Sequence, residues 1–160
     1  MLYFLPSVIK GCLSLLLYIA NTIFFCIFLI LAAALKFILP VKAFTRQCDK
    51  ILMLIASWWM RVNAFNTHLF SRIQWDIRGS GNLKKMEWYL VLANHQSWVD
   101  ILVLQHWLNG KIPMLKFFLK KELIWVPFLG LAWWALDFPF MKRYSASVLK
   151  AKPHLKGKDL

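Results

Sequence analysis

An α/β fold with mainly parallel strands, carried behind an amino-terminal membrane helix, follows from three observations. A charge-free run extends from Gly11 to Leu35, the apolar period changes from helical to alternating near Ile73, and short apolar runs then alternate with helical stretches. Composition supports the membrane component. Of the 160 residues 60% are hydrophobic, against about 45–50% in soluble domains, which excludes a wholly soluble protein. The 16% aromatic content, nine Trp and 17% charged residues exclude a disordered tail or a collagen-like fibre. Twenty Lys and Arg oppose seven Asp and Glu, a formal charge of +13, which attracts phosphate-bearing or other anionic partners.

The Gly11–Leu35 run, as a helix rising ~1.5 Å per residue, is about 37 Å long. That spans a hydrocarbon core of roughly 30 Å. Ala32-Ala33-Ala34 imitates the end of a cleaved signal, but the run is too long and Lys10 is the only early basic side chain. Asn21 and Thr22 inside it suit helix-to-helix hydrogen bonds. Lys36, Lys42, Arg46 and Lys50 follow the span, against Lys10 and the terminal amine before it, so a single pass with the body of the chain in the cytoplasm is expected. Residues 1–40 are thus the anchor. Pro40 breaks the helix, and within residues 41–72 Phe44, Cys48, Ile51, Leu52, Ile55, Trp58, Trp59, Val62, Phe65 and Leu69 recur on one helical face. Arg46, Lys50, Ser57 and Arg61 occupy the other. An ordinary core helix fits this pattern, but paired Trp and a basic face beside a span favour an amphipathic helix lying in the membrane interface.

Residues 73–160 carry the incomplete α/β domain. Ile73, Trp75 and Ile77 alternate with polar residues as in a half-buried strand, and Gly79-Ser80-Gly81-Asn82 supplies a turn. Trp88–Ala93 is apolar throughout, which suits a strand covered on both faces that delivers Asn94 and His95 at its carboxyl end. Trp98–Leu108 reads as a helix stopped by Asn109-Gly110. Met114–Leu119 is a third strand, residues 126–134 a second helix, and Leu136–Met141 a fourth strand. Ligands in such a fold gather where strand carboxyl ends meet helix starts.

The sharpest constellation is Asn94-His95-Gln96-Ser97-Trp98-Val99-Asp100. On one continuous helix His95 and Asp100 stand about 140° apart at ~100° per residue, so they share no face. With His95 in the turn before a helix capped by Ser97, the ring folds back and brings a nitrogen to the Asp100 carboxylate. Asp100 then fixes the tautomer and stabilises the imidazolium, leaving the other nitrogen to take a proton. Ser97-Trp98-Val99-Asp100 equally fits a capping box in which Asp100 serves only the helix start. Both readings stand on the sequence.

Those seven residues resemble the His-x4-Asp signature of the glycerolipid acyltransferase superfamily, which includes the 1-acylglycerol-3-phosphate acyltransferases. Lys121-Glu122-Leu123, Pro127, Gly130 and Asp137-Phe138-Pro139-Phe140-Met141-Lys142-Arg143 resemble its second block. The whole chain is similar to the amino-terminal half of bacterial inner-membrane acyltransferases of the YihG type. Asp137 stands where many members have glycine. The third signature, Glu-Gly-Thr-Arg or a close variant, occurs nowhere in the sequence, so a fragment is expected, without activity by itself.

The resemblance implies transfer of an acyl group from acyl-CoA or acyl carrier protein to a lysophospholipid hydroxyl, with His95 as base and Asp100 as its partner. It places Arg143 against substrate phosphate, assisted by Lys121 or Lys120, whose other role is attraction to lipid headgroups. It implies no bound cofactor and no metal, with membrane lipids as partners. The sequence has no Gly-x-Ser-x-Gly elbow, and Ser97 suits a cap better than a nucleophile. Cys12, Cys26 and Cys48 lack metal or disulfide spacing, and His68, His106 and His154 lack ligand spacing. Dispersed basic residues without a recognised module disfavour a nucleic-acid binder. The rival reading is a non-catalytic, membrane-anchored lipid-binding or scaffold protein.

Overall fold

A computed structural model of the chain describes residues 2, 4–79, 81–142, 144, 146–153 and 157. Helices dominate it. The apolar run lies wholly inside α1 (Ser7–Ile38), which is long and apolar enough to cross a membrane. Lys36 sits in its last turn, where a cation offsets the carboxyl-terminal dipole. The chain turns at Leu39–Val41 around Pro40, and α2 (Lys42–Phe70) returns antiparallel along α1.

A ladder of polar contacts holds this hairpin. Asn21 donates its side-chain amide to the Asn63 side-chain carbonyl at 2.8 Å and to the Trp59 backbone carbonyl at 3.2 Å. The Asn66 amide donates to the Ser14 carbonyl at 3.0 Å, the Ser14 hydroxyl donates to Asn66 Oδ1 at 3.4 Å, and the Tyr18 hydroxyl meets Thr67. At the turn end Lys36 pairs with Asp49 at 2.7 Å. The buried stripe of α2, Cys48, Leu52, Ala56, Met60, Asn63, Asn66 and Phe70, follows from this pairing.

Residues 41–72, expected as an amphipathic interfacial helix, form α2, which lies against α1 along its length, where buried Asn63 and Asn66 find their partners. Ile51, Leu54, Trp58, Val62 and Phe65 remain as an exposed apolar stripe.

Beyond the hairpin come α3 (Trp98–Leu108), β1 (Leu119–Lys120), a 3-10 turn (Lys121–Trp125), α4 (Leu129–Ala135), β2 (Phe140–Met141) and α5 (Ala146–Ala151). β1 and β2 pair in parallel, with Leu119 opposite Phe140 and Lys120 opposite Met141. The 3-10 turn and α4 form the crossover. Gly130 lets α4 sit directly on that turn, since a side chain there overlaps the Ile124 carbonyl.

The α/β expectation holds in this small parallel unit and is otherwise corrected. Leu136–Met141 shortens to β2 because Asp137 takes a left-handed φ of 55°, which no strand accommodates. Met114–Leu119 shortens to β1, and the second helix begins at Leu129, after Phe128 at φ 61°. Ile73–Ile77 and Trp88–Ala93 form no ladder among the described residues, and Trp88 is 95% exposed. A strand is buried on both faces only between covering layers, and no described segment pairs with 88–93.

Among the described residues a buried cluster joins α1 and α2 to the β1–α4–β2 unit. Cys26, Leu29 and Ala33 of α1 and Leu52 and Ala56 of α2 pack with Leu119, Ala132, Ala135, Leu136 and Phe138. The β1–α4–β2 unit therefore sits on the half of the hairpin nearest the α1–α2 turn.

Candidate active site

His95 lies just before α3, in the bend that ends at Ser97. Ser97 is the N-cap, with φ −151° and ψ 164°, and its hydroxyl accepts from the Val99 amide at 3.3 Å. Asp100 answers by accepting from the Ser97 amide at 2.7 Å and the Gln96 amide at 2.6 Å, both on Oδ2. The same oxygen stands 3.3 Å from His95 Nδ1. Capping box and His–Asp contact thus coexist, and the two sequence readings of Asp100 describe one carboxylate. Folding the chain back at the cap brings together two residues that a continuous helix holds apart.

The electrostatics agree with that geometry. The backbone amides of Ser97 and Gln96 hold the Asp100 carboxyl below the usual carboxylate range, against a small opposing desolvation, and His95 adds to the lowering. His95 is 60% exposed at its side chain and Asp100 33%. With Nδ1 turned to Asp100, Nε2 is the nitrogen free to accept a proton.

Lys120 ends β1 and Lys121 opens the 3-10 turn, both exposed, and neither makes a hydrogen bond or ion pair to His95 or Asp100 among the described residues. Arg143 and His154 lie outside the described residues; β2 ends at Met141, two positions before Arg143. Asp137 pairs with Lys116 at 3.9 Å. Its positive φ of 55° is one that glycine adopts freely.

Sequence reasoning missed several polar contacts around the site. Trp75 stacks on His106 of α3, ring centroids 4.7 Å apart, which ties residues 71–79 to that helix. Ser57 Oγ donates to Asn109 Oδ1 at 3.0 Å, and Asn109 Nδ2 returns a bond to the Ser57 carbonyl at 3.1 Å. The matched polar stripes Ser14-Tyr18-Asn21 and Asn63-Asn66-Thr67, at spacings of one helical face, were the available signal for the hairpin.

Comparison with known proteins bears on the same segment. The family described as Acyltransferase matches residues 74–157, more than half of the chain. Over 72 residues the chain is 33% identical to 1-acyl-sn-glycerol-3-phosphate acyltransferase alpha of Homo sapiens, and equally to that of Bos taurus. Each match covers 44% of this chain and 24% of the relative, so the chain spans about a quarter of the length of these curated relatives. No solved structure matches it. The matched family region contains both His95 and Asp100, and the chain belongs to the acyltransferase family.

Proposed function

We propose that the protein is a membrane-bound acyltransferase that moves a fatty acyl group from acyl-CoA or acyl carrier protein to a lysophospholipid hydroxyl. 1-Acylglycerol-3-phosphate is the first acceptor to test, after the names of the relatives. The observation that carries the reading is the contact of His95 Nδ1 with Asp100 Oδ2 at the start of α3. His95 Nε2 removes the acceptor hydroxyl proton as the oxygen attacks the thioester carbonyl carbon. The carbon–sulfur bond then breaks, and the proton passes from His95 to the departing thiolate. Asp100 keeps the imidazole in the productive tautomer and stabilises its charged form. No acyl-enzyme forms in this scheme.

Arg143, with Lys121 and Lys120, is assigned to the acceptor phosphate, on the basis of charge and resemblance. The anchor is the single-pass segment of residues 1–40, and the setting is the cytoplasmic face of a bacterial inner membrane. Support for that side is that Lys36, Lys42, Arg46 and Lys50 gather at the hairpin end on which the β1–α4–β2 unit packs. The test is transfer of labelled acyl groups from either thioester to lysophosphatidate by an active full-length protein containing this chain, in lipid nanodiscs. His95→Ala should reduce turnover about 100- to 10,000-fold while membrane association persists. Undiminished transfer by that variant removes His95 as the base, and lipid binding without transfer by the full-length protein favours the scaffold reading.

A further inference from the structure

We propose that Ser57 and Asn109 are positioning residues that set where the His95–Asp100 pair stands relative to α2; this rests on the reading of that pair as base and orienter. Among the described residues the helix against which α3 packs is α2. Leu108, its last residue, is the one buried side chain of α3, while Trp98 and Val99 at the other end are exposed. The helix that carries Asp100 is therefore held at its far end.

Asn109 makes that hold a two-point one. It is the C-cap residue, its backbone leaves the helix at φ −57° and ψ 121°, and Gly110 follows at φ 81°. The turn directs the carboxamide at the middle of α2. There its carbonyl accepts the Ser57 hydroxyl at 3.0 Å and its amide donates to the Ser57 carbonyl at 3.1 Å. One hydrogen bond fixes a distance and permits a pivot. Two antiparallel ones between the same residues fix the angle as well.

Leverage makes the angle matter. Nine residues separate Asp100 from Asn109, about 13 Å of helix, so a pivot of ~10° at the clamp carries Asp100 roughly 2 Å. Misplacements of about 1 Å at a reacting centre cost on the order of 100-fold in rate. The Trp75–His106 stack braces the same end of α3. Loss of the clamp should thus slow the proton transfer step and leave donor binding unchanged.

The test reads position in the 160-residue chain in nanodiscs, and turnover in an active full-length protein containing it. Spin labels go on ketone-bearing residues introduced at Leu54 of α2 and Val99 of α3, both exposed, which leaves the native cysteines in place. Electron–electron resonance should give one narrow distance. Ser57→Ala and Asn109→Ala should each broaden it, the double variant should broaden it no further, and Ser57→Thr, which keeps the hydroxyl, should restore it. Asn109→Asp retains the acceptor and loses the donor, so it supplies a milder variant if Asn109→Ala loses its helical circular dichroism.

In the transfer assay kcat should fall about 10- to 100-fold with KM for the thioester within about twofold. Unchanged distances in both alanine variants overturn the clamp. Broadened distances with unchanged kcat, or a loss confined to KM, overturn its positioning role. His95→Ala run alongside separates the two claims: transfer retained by that variant sinks the base assignment, whereas the distances still judge the clamp.

Discussion

Asp100 concentrates three contacts on one oxygen, and its substitution therefore separates charge from shape. Asp100→Asn keeps an oxygen able to accept from the Ser97 and Gln96 amides but removes the negative charge beside His95. Turnover should drop at least about tenfold, with a small fall in thermal stability, because the charge serves the imidazolium and the oxygen serves the cap. Unchanged turnover leaves Asp100 with the cap alone. The pH behaviour follows from the lowered carboxyl. A carboxylate with a depressed folded pKa contributes stability above its unfolded value, about 3.9, and loses it as pH falls through the lower folded value. Hydrogen-exchange protection of the Gln96 and Ser97 amides, corrected for intrinsic rates, should hold from pH 7 to about 4 and disappear below that range. Protection already lost near pH 6 contradicts the cap.

Elements meet closely in two places that substitutions can probe. Gly130 touches the 3-10 turn so directly that a Cβ collides with Ile124 backbone atoms, which cannot swing aside as a side chain can. Gly130→Ala should destabilise the β1–α4–β2 unit by about 1–3 kcal/mol, a typical overpacking cost, measured by denaturation in detergent. A stability gain from better helix propensity identifies α4 as free to shift. In the hairpin, Asn63→Leu leaves the Asn21 amide without one of its two acceptors. Interhelical bonds of this kind contribute on the order of 1 kcal/mol in membranes, and unfolding should register a loss of that size. Full retention of stability shows that the ladder is dispensable for α1–α2 pairing.

At the scale of the whole molecule, a buried cluster among the described residues draws on both sides of positions 40 and 72. Removing residues 1–40 takes away Cys26, Leu29 and Ala33 and uncovers Leu52, Ala56, Asn63 and Asn66 on α2. The sequence-level expectation is that such a chain stays at the membrane through the apolar face of α2. The shared core adds that it should aggregate or be digested rapidly, because a helix with two buried asparagines and an unpacked stripe has lost its partner. A monodisperse, protease-resistant chain of residues 41–160 contradicts the single core.

Local chemistry alone determined much of this protein. The Gly11–Leu35 run, the break at Pro40 and the Asn109-Gly110 stop depend on hydropathy, on a missing amide and on φ freedom, and α1 ends, α2 begins and α3 ends within a few residues of where these place them. The His95-to-Asp100 spacing and the Ser97 cap were legible for the same reason, since all their partners lie within one turn. Their combination on one oxygen is decided by the fold of the turn before α3. Strand identity was not legible: Trp88–Ala93 has a strand's composition, but ladders are made by neighbours, and none among the described residues pairs with it. Tertiary structure likewise decided that α2 lies along α1, because a polar residue in an apolar helix records a need for a partner and not the partner's address. The link from Ser57 to Asn109 spans 52 positions. Contacts at such separation arise from the packing of whole helices, which no local pattern encodes.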